Sequence, residues 1–204
     1  MDFILASKNR HKLDELSRIL APMGIRVLLE SETGIDFPEV DETGETFAEN
    51  AELKARSACS VSGLPAIADD SGLCIDGLNG APGVYSARFA GEGHDDEANI
   101  DKVLTLLKDA PVGSSERNAR FVSSVCCCFP NGDKITAEGC CHGVIATERH
   151  GSNGFGYDPI FMVGELSFAE MSDGQKDAVS HRGNALRAFE EKIKIYLEKN
   201  YADK

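Results

Sequence analysis

The stretch PAIADDSGL, Pro65–Leu73, places two adjacent acids at the end of a short apolar run. Neighbouring side chains on a strand point to opposite faces, so either Asp69 or Asp70 is expected to face inward or into a cleft. Asp, Ser and Gly are also the residues that most often form turns. Taken alone, the stretch favours a turn after a short strand, and the alternative is a metal site or a general base.

The segments on either side of this acidic pair alternate between strand-like and helix-like patterns. Apolar runs near Asp2 and Ile25 predict strands, and Asn131-Gly132 inside a β-rich region predicts a hairpin. Helical patterns separated by strands, and followed by a hairpin, predict an α/β fold with a mixed sheet. Helices are predicted from Asn9 to a stop at Pro22 and Gly24, from Thr46 to Gly63, over 96–110 and over 182–200.

The overall composition narrows the class of protein and its partners. The 204 residues, 42% hydrophobic and 27% charged, are typical of a globular protein with one domain, or one domain with two lobes. The sequence has no apolar run of membrane-spanning length and no signal-peptide pattern at its N-terminus, so no membrane partner and a cytoplasmic location are expected. The net charge of −13 argues against nucleic-acid binding, although local cations can still bind a small anion.

The cysteines are unusual in number and spacing. There are seven, and Cys126, Cys127 and Cys128 are consecutive, which suits a reducing compartment better than a disulfide framework. A zinc site formed by these three cysteines with Cys140, Cys141 and His142 is the alternative, but the C-x-x-C spacing of known sites is absent. The pattern therefore predicts small buried apolar side chains.

Two polar segments precede predicted helices. The first, SKNRHK at Ser7–Lys12, lies where the free N–H groups of a helix start attract anions, and a polar N-cap with solvated basic residues is the alternative. The second contains Glu42 before a glycine turn. A carboxylate there either stabilises the helix dipole or binds Mg²⁺, which prefers hard oxygen ligands and usually takes one or two carboxylates plus substrate phosphate.

Two more polar segments follow in the C-terminal part. The loop GSNGFGYDPIF combines permissive glycines with Phe155, whose ring either stacks on a flat base or simply packs. Lys176, His181 and Arg182 come just before the last predicted helix, and the arginine offers fixed donors for a phosphate or a base carbonyl. Separated carboxylates, basic junctions and an aromatic loop together indicate Mg²⁺-dependent hydrolysis of a nucleotide polyphosphate.

Five segments, in order along nearly the whole chain, resemble those of the inosine triphosphate pyrophosphatase family, the dITP/XTP pyrophosphatases: SKNRHKLDEL, DETGETFAENAELKA, AIADDSGLCIDGLNGAPGVYSARFAG, GSNGFGYDPIF and SHRGNAL. The resemblance implies an elongated α/β fold with two lobes around a long mixed sheet and flanking helices. Residues 1–204 would form one nucleotide pyrophosphatase domain with a central cleft. It also implies Mg²⁺ dependence, a homodimer, and hydrolysis of dITP, ITP and XTP to the monophosphate and pyrophosphate, which removes them from the nucleotide pool.

The same resemblance implies a role for each matching position. Glu42 and Asp70 match metal ligands, Asp70 also matches the proton acceptor, and Asp69 is its neighbour. The implied substrate contacts are Ser7, Lys8, Asn9, Arg10, His11, Lys12, Ser71, Phe155, Gly156, Tyr157, Asp158, Lys176, His181 and Arg182.

These roles lead to a mechanistic hypothesis. Mg²⁺ between Glu42 and Asp70 draws in the phosphates and lowers the pKa of a water whose proton Asp70 accepts, while Lys12 and Lys176 offset phosphate charge. A donor from Arg182 or a loop N–H would bond the 6-oxo group of hypoxanthine or xanthine and leave adenine mismatched. The alternatives are a related pyrophosphatase with a different base preference and a nucleotide-binding regulatory module without catalysis.

Overall fold

The computed structural model describes residues 1–201, with side chains through residue 200. Its seven strands are β1 Asp2–Leu5, β2 Arg26–Leu29, β3 Ala66–Ile75, β4 Asn118–Cys128, β5 Lys134–Ile145, β6 Phe161–Val163 and β7 Leu166–Ser167. They form one sheet in the order β2-β1-β3-β4-β5-β6-β7. β1 pairs parallel with β2 and β3, whereas β6 pairs antiparallel with β5 and β7, so the predicted α/β fold with a mixed sheet is confirmed.

The α-helices begin close to the predicted positions. Asn9 caps the first helix, and Thr46 caps the second through a capping box with Glu49. A short helix was not predicted, although Ser172 and Gln175 form a capping box that signals its start. The helices are α1 Arg10–Leu20, α2 Phe47–Ser62, α3 Asp96–Leu106, α4 Asp173–Val179 and α5 His181–Tyr201.

The predicted turn at the acidic pair is wrong. β3 continues through Asp69, Asp70 and Ser71 to Ile75, and it has hydrogen-bonded neighbours in β1 and β4. β1 pairs with β3 at Ala66 and Ile67, before the acids. Because β3 continues as a paired strand of the sheet past the acids, the turn preference of Asp, Ser and Gly is overridden there. The two acids therefore project from a strand that is otherwise largely buried.

The chain divides into two compact units. Unit 1 comprises Met1–Asp70, Ser124–Gly139 and the chain from Ala185 on, and unit 2 comprises Ser71–Ser123 and Cys140–Asn184. β3, β4 and β5 contribute residues to both units. Each unit has its own apolar core. One domain with two lobes and a central cleft stays a prediction.

The core of unit 1 lies on both faces of its strands. Along β4 the side chains alternate, so Val125 and Cys127 join the cluster that includes α1 and α5, while Cys126 and Cys128 join the cluster that includes α2. The prediction that the consecutive cysteines are small buried apolar residues is confirmed. α2 contributes alanines to this second cluster, and small side chains allow a helix to approach a sheet closely.

In unit 2, a buried arginine attaches α3 to the end of β5. Arg117 donates hydrogen bonds to the carbonyls of Leu107 at 2.8 Å, Ala110 at 3.0 Å and Ala146 at 3.0 Å. Hydrogen bonds from a charged donor such as this guanidinium typically contribute about 1.5–3 kcal/mol each. Arg117 is therefore a structural residue that fixes the helix whose first turn contains Asp96.

Among the described residues, none of the helices has both the length and the apolar character that crossing a bilayer requires.

Candidate active site

Asp70 is held by two side chains from α2. Lys54 Nζ lies 3.2 Å from Asp70 Oδ1, and Asn50 Nδ2 donates to Asp70 Oδ2 at 3.3 Å. The same Lys54 Nζ contacts Glu42 Oε1 at 2.7 Å. The structure therefore brings Glu42 and Asp70, which are 28 positions apart in the printed sequence, onto one ammonium group.

Asn50 and Lys54 were not predicted as site residues from the sequence. They are four residues apart on α2 and adjoin the buried side that contains Ala51 and Ala55. Asn50 is only 1% exposed, and its Oδ1 also accepts a hydrogen bond from Gly44 N at 2.8 Å. A Cβ at Gly44 would lie 2.7 Å from that oxygen, so glycine is required there. A polar residue inside a buried helical stripe was the available signal.

The electrostatics of this group favour an additional cation. Burial raises the pKa of Asp70, the Lys54 ammonium opposes this rise, and the Glu42 carboxylate adds to it. Burial lowers the pKa of Lys54, but Asp70 and Glu42 outweigh burial and raise it. Two carboxylates that share one ammonium leave an excess negative charge in a partly desolvated place. A divalent cation would stabilise that charge.

The donor set fits Mg²⁺. Glu42 and Asp70 supply hard carboxylate oxygens, and Mg²⁺ typically takes one or two carboxylates and completes its shell with water and substrate phosphate. Within the described part of the chain, no group of three or more His, Cys, Asp or Glu side chains is arranged to hold a metal ion. The remaining ligands would therefore come from solvent and substrate.

Asp69 and the N-terminal basic segment form a second group in unit 1. Asp69 is buried, and its Oδ2 lies 2.8 Å from Lys12 Nζ, so it orients the lysine. Asn9 Oδ1 accepts from His11 N at 2.9 Å and caps α1, and Ser7 Oγ accepts from Asn9 N at 3.1 Å. Ser7 and Asn9 thus order the segment. Lys8, Arg10 and His11 are exposed, as is Ser71 on β3, and Arg10 pairs with Glu32.

In unit 2, the glycine-aromatic loop has one exposed aromatic ring, and the residues that support the loop are buried. Phe155 is 75% exposed, so simple packing does not account for its position. Tyr157 and Asp158 are buried. Asp158 Oδ2 accepts from Phe155 N at 3.0 Å and lies 2.5 Å from Lys176 Nζ. Two predicted contact residues, Tyr157 and Asp158, therefore support the loop from inside.

The cationic residues of unit 2 lie against aromatic rings. Lys176 Nζ is 5.2 Å from the ring centre of Phe155 and 5.4 Å from that of Phe168. Phe121 stacks on Phe168 and, at 4.7 Å, on His181. The structure brings Lys176, Phe155 and Asp158 together, and it links Lys176 to His181 through aromatic contacts.

The local structure of the last basic segment differs from the prediction. Lys176 lies inside α4, which was not predicted, and α5 begins at His181, one residue before the predicted start at Arg182. Ser180 Oγ accepts from Gly183 N at 3.1 Å at the start of this helix. The short α4 was missed because its seven residues include no buried residue that would mark an apolar face.

A model of the Ham1 family matches residues 3–192. This chain belongs to the Ham1 family. The match covers all of the site residues described above. Relatives named dITP/XTP pyrophosphatase confirm the family that the sequence segments predicted.

Relatives and solved structures agree with this assignment. A Bacillus cereus protein named dITP/XTP pyrophosphatase is 51% identical to this chain over 197 residues, which cover 93% of each of the two chains. One of the same name from Desulforamulus reducens is 48% identical and covers 97% of this chain and 98% of its own. The Staphylococcus aureus Ham1 protein is 39% identical, with a TM-score of 0.88 and coverage of 96% and 100%. A HAM1 protein from Coxiella burnetii is 41% identical, with a TM-score of 0.88 and coverage of 95% and 98%.

The loop geometry of the Ham1 chain generates a prediction about two glycines. Gly154 has φ +79°, and a Cβ there would collide with Asp158 Oδ2. Gly156 has φ +56° with open space around its Cα. We expect Gly154→Ala to lower the free energy of unfolding by more than about 2 kcal/mol, because it adds displacement of the Asp158 carboxylate to the backbone cost.

Urea unfolding of both variants measures this difference. Gly156→Ala is the matched control, since it carries the backbone cost alone, on the order of 1 kcal/mol. Equal stability of the two variants would show that Asp158 does not support the loop.

Proposed function

We propose that this protein hydrolyses non-standard purine nucleoside triphosphates, dITP, ITP and XTP, to the nucleoside monophosphate and pyrophosphate, and so removes them from the nucleotide pool. The observation that carries the proposal is the convergence of Glu42 and Asp70 on Lys54 Nζ. The relatives named dITP/XTP pyrophosphatase, at 51% and 48% identity, support the substrate class.

Asp70 is the proposed proton acceptor. Burial raises the pKa of its carboxyl, which makes the carboxylate a stronger base than an exposed aspartate. Lys54 and Asn50 each contact one of its oxygens and so fix the orientation of the group. In the proposed reaction, Asp70 takes a proton from the water that attacks the phosphorus between the nucleoside and the leaving pyrophosphate.

Glu42 and Asp70 are the proposed Mg²⁺ ligands. When bound, Mg²⁺ supplies positive charge that stabilises the phosphates and the leaving pyrophosphate. Lys12 and Lys176 are each proposed to offset negative charge on the phosphates. Each is held by a buried carboxylate, Asp69 or Asp158, so each ammonium is oriented before the substrate arrives.

The loop around Phe155 is the proposed base-binding element. The exposed ring offers a face on which a purine can stack, and Lys176 holds that ring from one side. A donor from Arg182 or a loop N–H would bond the 6-oxo group of hypoxanthine or xanthine. Adenine has a 6-amino donor at this position, so the donor would lose its partner.

The family resemblance extends the proposal to assembly and location. A homodimer acting on a small-molecule nucleotide in the cytoplasm is the expected form of the protein. Size-exclusion chromatography with light scattering tests the dimer directly.

A substrate panel tests the proposed activity. We expect pyrophosphate release from dITP, ITP and XTP with kcat/KM about 5- to 150-fold above that for ATP, because one unpaired buried polar group costs about 1–3 kcal/mol. GTP and modified pyrimidine triphosphates complete the panel. Comparable values for ITP and ATP would contradict the base preference, and tight binding without pyrophosphate release would indicate a regulatory module.

A second prediction concerns the proton acceptor. Asp70→Asn keeps the size of the side chain but removes the base, so kcat should fall by roughly 10²–10⁴-fold. Asp76→Asn is the control, because Asp76 lies just beyond β3 with a half-exposed side chain. Turnover of Asp70→Asn near that of the control would refute the role of Asp70.

A third prediction concerns the metal, with a readout that does not depend on catalysis. Mg²⁺ alone should raise the Tm of the unmodified protein, since a ligand that binds only the folded state stabilises it. Glu42→Gln and Asp70→Asn should each reduce this shift, and Asp76→Asn should retain it. Differential scanning fluorimetry over a Mg²⁺ series measures it, and an unchanged shift in both ligand variants would exclude this metal site.

A further inference from the structure

Besides the backbone bond from Asn153 N to Ala169 O at 3.1 Å, side chains and backbone form three hydrogen bonds at residues 155–157 of the loop that holds Phe155. Asp158 Oδ2 accepts from Phe155 N at 3.0 Å. Tyr157 OH donates to Ser86 O at 2.8 Å. Gly156 N donates to Asp96 Oδ2 at 2.8 Å. The first bond is internal to the loop, whereas the other two connect it to separate elements of unit 2.

These three attachments differ in what their loss would do. Asp158 and Tyr157 are buried, so removing either would disturb the core of unit 2 as well as the loop. Asp96 is exposed, and its carboxylate accepts the hydrogen bond from the loop. It is therefore the attachment that can be removed without loss of buried packing.

Asp96 is also not needed to begin α3. The preceding residue, Asp95, is the N-cap, and its Oδ1 accepts from Ala98 N at 3.1 Å. Further along, Ile100 and Val103 bury the helix in the core of unit 2. The backbone position of Asp96 is thus fixed by its packed helix, and its carboxylate supplies an acceptor for the loop.

The loop needs such an acceptor. Gly151, Gly154 and Gly156 all have positive φ, and glycine-rich backbone has the most conformations to lose on ordering. Asp96 also adds to the raised pKa of Tyr157, whose first cause is burial, so its negative charge acts on the neighbouring loop residue as well. Without this carboxylate, the Phe155–Gly156 peptide would sample other orientations.

We propose that Asp96 is a positioning residue that holds the Gly156 N–H, and with it the Phe155 ring, in the orientation that receives the purine base. This inference rests on the proposed function, because it assigns the loop to the base. Asp96 itself contacts neither the base nor the phosphates. It acts through the loop by removing alternative loop conformations before the nucleotide binds.

This role predicts a separation between binding and chemistry. The base does not react, so a misplaced loop weakens the binding of substrate and transition state equally. Such a change raises KM and leaves kcat almost unaltered. It also weakens the binding of the nucleoside monophosphate, the product that contains the base. The binding of pyrophosphate, which lacks the base, is unchanged.

Steady-state kinetics with ITP and saturating Mg²⁺ test the proposal on the full-length protein. Asp96→Ala should raise KM by about three- to tenfold, with kcat within about twofold of the unmodified protein. Asp96→Asn retains an acceptor oxygen, so its KM should stay close to that of the unmodified protein. Asp96→Ser, whose side chain is too short to reach Gly156 N, is a second truncation that should repeat the alanine result.

The matched control is Asp101→Ala. It removes the same charge from α3, and its partner Arg149 keeps a contact with Glu97. This variant should keep the unmodified KM. Inhibition constants for IMP and pyrophosphate form the second readout, and only the IMP constant should rise in Asp96→Ala.

Three results would overturn the inference. The first is a KM for Asp96→Ala equal to that of Asp101→Ala. The second is a KM for Asp96→Asn raised as much as that of Asp96→Ala. The third is an equal change in the inhibition constants of IMP and pyrophosphate in Asp96→Ala. Failure of the proposed function is recognised separately, because the unmodified protein would then release no pyrophosphate from ITP.

Discussion

The Lys54 ammonium between the Glu42 and Asp70 carboxylates is the constraint on which unit 1 depends. Two negative charges removed from water at one place are unfavourable unless a cation joins them. Lys54 supplies one positive charge and leaves one negative charge in excess. This arrangement keeps the carboxylates together and also leaves them able to attract a divalent cation.

The position of Lys54 in turn determines the character of α2. The helix must approach the sheet closely for its lysine to reach β3, and alanines on its buried side allow that approach. Asn50, one turn before Lys54, contacts Asp70 and also the backbone of Gly44, which precedes the helix. Cys126 and Cys128 belong to the same packing and fill space as small apolar side chains.

A common arrangement accounts for the way an acidic protein can bind an anionic substrate. Lys12, Lys54 and Lys176 each contact a mostly buried aspartate: Asp69, Asp70 and Asp158, respectively. Each aspartate restricts the orientations of its lysine, and for Lys12 and Lys176 this would lower the entropy lost in the proposed binding of phosphate. A net charge of −13 is therefore compatible with well-placed cations, because some of the acids serve to hold them.

The sequence by itself determined the mixed α/β class, the family and the approximate starts of α1, α2, α3 and α5. Caps such as Asn9 and Thr46, and apolar periodicity, act over a few residues and can be read locally. Only the tertiary structure decided that Asp69 and Asp70 lie within a strand, that Asn50 and Lys54 complete the acidic group, and that Asp158 supports its loop from inside. Those outcomes depend on partners that are distant along the chain: neighbouring strands override turn preference, and burial decides which charged groups must be paired.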